Sequence, residues 1–223
     1  MPLSALALVV LAGFIHACWN IAAKKAGGDV RFAAFTSVVM MLFWAPLGLW
    51  LGWQQVPHWG MREWTLVLTS AVLHVVYFIV LLRGYRKADL TVVYPLARGS
   101  GPLLSSLVAI TLLGEAITAA GLAGIAAVVG GVFLIAGGPA LWRTAHGSVH
   151  RERVRIGVLY GAMTGVFIAG YTVVDGYAVK FALMSPILID YFGNLIRMLL
   201  IGPTLLRERP VVASLWRAQW KYA

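Results

Sequence analysis

Long apolar runs, broken at short intervals by clusters of Lys, Arg, Gly and Pro, set the pattern of this chain. Crossing about 30 Å of hydrocarbon takes about 20 mostly apolar residues. Seven segments meet that length, at about 3–23, 32–53, 63–83, 90–113, 117–137, 155–177 and 184–206. Within lipid each must be a helix, because an open strand would leave backbone N–H and C=O groups unpaired. The expected fold is therefore an all-α integral membrane bundle of about seven transmembrane helices.

The connections are short and carry the charge. Those after spans one, three, five and seven hold fourteen Lys and Arg residues, from Lys24, Lys25 and Arg31 to Arg217 and Lys221, whereas those after spans two, four and six hold two, Arg62 and Lys180. Cytoplasmic loops carry such an excess, so the odd-numbered connections are expected in the cytoplasm and the N-terminus outside. Trp53, Trp59, Trp64, Trp142, Trp216 and Trp220 flank the spans, where indole rings favour the headgroup zone. Composition agrees: 61% of residues are hydrophobic and 12% charged, an excess that no water-soluble core hides. The net charge of +10 does not point to nucleic acid, since its Lys and Arg lie in short runs between spans. The first apolar run has no basic residues before it, unlike a signal peptide, and reads as a permanent span. Cys18 is the only cysteine, so no internal disulfide or thiolate metal cluster can form.

Polar residues inside the spans are the candidates for function, because such groups face a bundle interior or a wet cavity. Span one places His16, Trp19 and Asn20 at helical spacing, and span three does the same with His74 and Tyr77. Two histidines without a third ligand do not make a metal site. Span seven sets Asp190, Asn194 and Arg197 on one face, where the acid and base can neutralise each other; Asp175 lies near the end of span six. The sharpest feature is "VVYPLARGSGPLLSSL", residues 92–107. Arg98 sits about nine residues into span four, where a central Arg costs about 2.5–3.5 kcal/mol on insertion scales. Glu115 is too far along the same helix to pair with it, so a partner or a water-filled cavity is expected from other helices. Around it Pro95, Gly99, Gly101 and Pro102 predict an interrupted helix, tolerated at that depth where it is buried or lines a cavity.

Small residues recur four apart on span six, at Gly157, Gly161, Gly165 and Ala169, and on span five at Ala123, Ala127 and Gly131. Both stripes predict close helix packing. A short internal repeat joins spans one and six: "GFIHACWN" sets Trp19 and Asn20 six and seven positions after Gly13, and "GVFIAGYT" sets Tyr171 and Thr172 likewise after Gly165. If spans one to five form a unit, span six opens a second copy in the opposite orientation, a transporter architecture. The expected organisation is 1–137 as a first five-helix unit, 138–154 as a basic connecting loop and 155–223 as an incomplete second, inverted unit.

Three segments, "HACWNIAAKKAGGD" (16–29), "YPLARGSGPLLSSLVAITLLGEAIT" (94–118) and "YTVVDGYAVK" (171–180), resemble the EamA branch of the drug/metabolite transporter superfamily. Tyr94, Pro95, Arg98 and Glu115 match its motif in position and type. The resemblance implies ten helices in two inverted five-helix units that carry small molecules by alternating access. Seven spans against ten reads as a C-terminally truncated reading frame, and several relatives keep the N-terminus in the cytoplasm, opposite to the charge count here.

The function expected is that of a multi-pass secondary transporter of the inner membrane, moving small metabolites or drugs. Its cavity would be lined by His16, Trp19, Asn20, His74, Tyr77, Tyr94, Arg98 and Tyr171, with Asp175, Asp190 and Arg197 as further intramembrane charges. The fixed Arg98 favours an anionic group on the substrate. The alternatives are a non-transporting scaffold or partner subunit, an inactive remnant, or a lipid-directed intramembrane enzyme, for which no nucleophile, zinc-helix or phosphate-loop motif is present. No cofactor or metal is expected. The lipid bilayer and a small-molecule substrate are the expected partners, with a homodimer open and nucleic acid excluded.

Overall fold

The computed structural model describes residues 3–25, 30–112, 114, 116–135 and 148–206. Among them are seven α-helices and no strand: α1 (Leu3–Lys25), α2 (Val30–Gln55), α3 (Met61–Lys87), α4 (Leu90–Leu112), α5 (Ala119–Ile135), α6 (Ser148–Lys180) and α7 (Pro186–Leu206). Each corresponds to one expected span. Three described stretches are long and apolar enough to cross a membrane: Ser37–His58, Met61–Lys87 and Glu152–Lys180. α6 is longer than its expected span, 33 residues or roughly 50 Å at the rise of an α-helix.

Local chemistry sets the helix ends. Before α3, the Glu63 carboxylate accepts the Gly60 N–H at 2.7 Å, satisfying a donor at the helix start. Asp89 turns α3 into α4, its carbonyl accepting the N–H groups of Val92 and Val93 at 3.0 and 3.1 Å. Gly114, just past α4, has φ +65°, a backbone region that glycine enters without a Cβ clash. Thr118 caps α5, its hydroxyl oxygen accepting the Gly121 N–H at 3.1 Å. Pro186 opens α7 at a position whose N–H would have no helical partner anyway. In the turn before it Leu183 adopts φ 54°, a left-handed conformation that costs a side chain about 1–2 kcal/mol.

The chain divides into two compact units, Met1–Leu49 with Met198–Ala223, and Trp50–Arg197. In the first, the apolar side chains of α1 from Leu3 to Ile15 and those of α2 at Leu42, Phe43 and Leu49 are exposed, as lipid-facing positions are. In the second, α6 is the central element and packs along both α3 and α4.

The stripe of small residues on α6 explains how close that packing is. Gly157, Gly161 and Gly165 lie against Val92, Leu96 and Ser100 in turn, so α4 and α6 run parallel. A Cβ at Gly161 would stand 2.7 Å from the Leu96 Cβ and 3.1 Å from the Val93 carbonyl oxygen. α3 runs the other way along α6, with Gly84 against Tyr160 and Val67 clustered with Ala178. On α5 the expectation fails. No atom lies within 4 Å of a Cβ built at Gly131, and Ala123 and Ala127 are exposed. α5 instead presents Val132 to Gly99 of α4.

The expected interruption of α4 is also corrected. Leu90–Leu112 is a continuous helix containing Pro95 and Pro102. The prolines remove the N–H partners of the Thr91 and Arg98 carbonyls. The glycines between them serve close approach, Gly99 to Val132 and Gly101 to Ile168, rather than unwinding.

Candidate functional site

Within the second unit, polar side chains from four helices converge on one track. α3 contributes Ser70, His74, Tyr77 and Tyr85, spaced three, four or eight apart and so along one face. The His74 ring stacks on Tyr171 of α6 with centroids 3.7 Å apart and planes 25° apart. Tyr77 meets both rings, at 5.7 Å from His74 and 5.4 Å from Tyr171. His74 Nδ1 lies 2.9 Å from the Ser70 carbonyl oxygen. A carbonyl can only accept, so Nδ1 donates there, and neutral His74 keeps Nε2 as an acceptor.

Asp175 lies one turn beyond Tyr171 on α6. Its Oδ1 is buried and has no hydrogen-bond partner among the described residues, with Ser70 beside the carboxyl. α7 brings Arg197 to the same place, within electrostatic reach of His74, Tyr171 and Asp175. Its Nη2 donates to Asp190 Oδ1 at 3.1 Å. Arg197 is the half-buried partner of that pair and Asp190 the exposed one. Asp190 and Arg197 thus neutralise each other, while the guanidinium retains donors for the track.

Arg98 is an exposed residue of α4. Its guanidinium lies 5.5 Å from the Tyr94 ring, one turn back on α4, a cation–π contact. It also lies within electrostatic reach of Tyr85 and Tyr171. Among the described residues it makes no ion pair. The track thus carries a cation that its own carboxylates do not neutralise.

Apolar packing lies beyond Asp175. Val67, Ala178, Met184 and Ile189 form a buried cluster, and Trp59, Trp64 and Phe192 meet edge to face at 5.2–5.6 Å. Arg62 donates to the Tyr177 hydroxyl at 3.0 Å, and Gln55 Oε1 accepts the Ser185 N–H at 3.2 Å. At the other end, Lys87 lies over the Tyr160 ring at 5.8 Å, and Arg153 approaches Asp89 at 4.0 Å.

Of the residues expected at the site, His74, Tyr77, Tyr94, Arg98, Tyr171, Asp175, Asp190 and Arg197 lie on this unit. The side chains of His16, Trp19 and Asn20, together with Glu115, lie outside the described residues. Ser70, Tyr85 and the Arg62–Tyr177 bond were not anticipated. The first two follow the helical register of His74 and Tyr77 and were legible, whereas Arg62 and Tyr177 are 115 positions apart and carry no local signal. No group of three or more His, Cys, Asp or Glu that would suit a metal occurs among the described residues.

A helical bundle with membrane-length apolar helices and a polar track through it defines a multi-pass membrane protein. The profile of the EamA-like transporter family matches residues 3–137, more than half of the 223. The chain belongs to that family, whose members are membrane transporters of small molecules. No curated protein and no solved structure matches it.

Proposed function

We propose that this chain is a secondary transporter of the inner membrane that carries small anionic metabolites by alternating access along the track from Arg98 to Asp175. The observation that carries this reading is Arg98, an exposed guanidinium midway along α4, at the Tyr94 ring and with no acidic partner among the described residues. An unneutralised cation on a helix of membrane-spanning length is costly unless water or an anion meets it. The Tyr77, Tyr85 and Tyr171 rings provide amphipathic surface beside it, hydroxyl at one end and apolar ring at the other. Arg197 supplies a second cation further along, moderated by Asp190.

The test is uptake by proteoliposomes carrying the purified chain, with a panel of radiolabelled small organic anions. Uptake of at least one anion is expected, and Arg98→Ala should abolish or strongly weaken it. Transport of neutral or cationic compounds only would refute the anionic preference. An Arg98→Ala protein that moves every accepted anion unchanged would remove the arginine from the mechanism.

A further inference from the structure

α6 has a second functional face. Val173 and Gly176 lie roughly opposite Tyr171 around the helix, at 3.6 residues per turn. There they border a cavity of about 320 Å³ between the C-terminal half of α4, the α4–α5 connection, α5 and α6. Three hydroxyls line it, those of Ser105, Ser106 and Thr172, among apolar side chains such as Ile110, Ile117 and Val173. Sites for small organic molecules share this character, about 300–1,000 Å³ with mostly apolar walls and a few polar groups.

We infer that this cavity binds an uncharged amphiphile, with a hydroxyl or amide head and a short apolar body, drawn from the surrounding bilayer. The described lining is apolar apart from its three hydroxyls, which suits a ligand that offers an apolar body and a neutral polar head. The hydroxyl oxygens are well placed for a neutral donor. Ser105 donates to the Pro102 carbonyl at 3.1 Å and Thr172 to the Ile168 carbonyl at 2.8 Å. Each has its proton committed and its lone pairs free to accept. The cavity shares α4 and α6 with the polar track but no side chain with it. A bound amphiphile would therefore bridge α4, α5 and α6 without occupying the path of an anion.

The experiment is photolabelling of the full chain in lipid nanodiscs with 3-azioctanol, competed by 1-octanol. Adducts are expected on peptides spanning 105–117 and 172–176, and saturable by octanol. Gly176→Leu tests the site cleanly, because no atom lies within 4 Å of a Cβ at that position; its side chain fills the cavity, and most of the labelling should disappear. Ser106→Phe narrows the cavity from α4 and should do the same. Gly130→Leu, on α5 and also with nothing within 4 Å, should label as the unaltered chain does. Labelling that octanol does not compete, or that survives both filling variants with unchanged circular dichroism, would overturn the proposal. The readout requires no transport, so its failure leaves the anion-transport reading standing, and the reverse holds too.

Discussion

A single residue, Arg98, carries most of the functional reading. Charge-assisted hydrogen bonds contribute about 1.5–3 kcal/mol, so Arg98→Ala should weaken apparent affinity for an accepted anion roughly 10- to 100-fold. Arg98→Lys should recover part of the loss, since it keeps the charge but not the planar fork. Flux measured against anion concentration separates these outcomes. Tyr94→Ala removes the cation–π contact and should cost less, about 0.5–2 kcal/mol, visible as a smaller rise in half-saturation. The sequence marked Arg98 because a guanidinium has few reasons to lie in a span. It did not reveal that Tyr94, four residues away on the same helix, is its neighbour, since sequence spacing does not show which rotamer a long side chain adopts.

At the scale of the element, the glycine stripe of α6 was legible and its partner was not. A four-residue period of small residues announces a close-packed face, but only the structure identifies α4 as the helix that fills it. Gly161→Leu should therefore disrupt the α4–α6 contact, lowering stability by about 1–3 kcal/mol as overpacking does. Gly124→Ala, on the open face of α5 with nothing within 4 Å, should be neutral or stabilising by up to about 1 kcal/mol. Thermal unfolding in detergent followed by circular dichroism compares the two. Equal effects would mean that the stripe is not an interface. The α4 sequence misled in the opposite direction. Two prolines and two glycines read as a broken helix, yet neighbours pack against the glycines and the helix continues. Proline removes donors from a helix without necessarily ending it when surrounding helices hold its shape.

For the chain as a whole, apolar run lengths were enough to set the number and order of the described helices, because the hydrocarbon thickness fixes both the length and the type of each element. The grouping of Trp50–Arg197 was not legible, since it depends on contacts between helices distant in sequence. Orientation rests on charge alone. With Cys18 replaced by alanine, single cysteines at His58 and His146 should react with an impermeant thiol reagent from the outside and only after lysis, respectively. The reverse pattern would invert the topology. The central claim is that His74 and Tyr77 border an aqueous path while Leu68, Val72 and Ile79, exposed on other parts of α3, face lipid. Thiols react with these reagents as thiolates, which form in water and not in hydrocarbon. Single cysteines at the five positions in the Cys18→Ala background, in intact membranes, test this directly. Fast modification at His74 and Tyr77, with Leu68, Val72 and Ile79 inert, is the expected result; equal rates at all five, or faster reaction at the lipid-facing three, would contradict it.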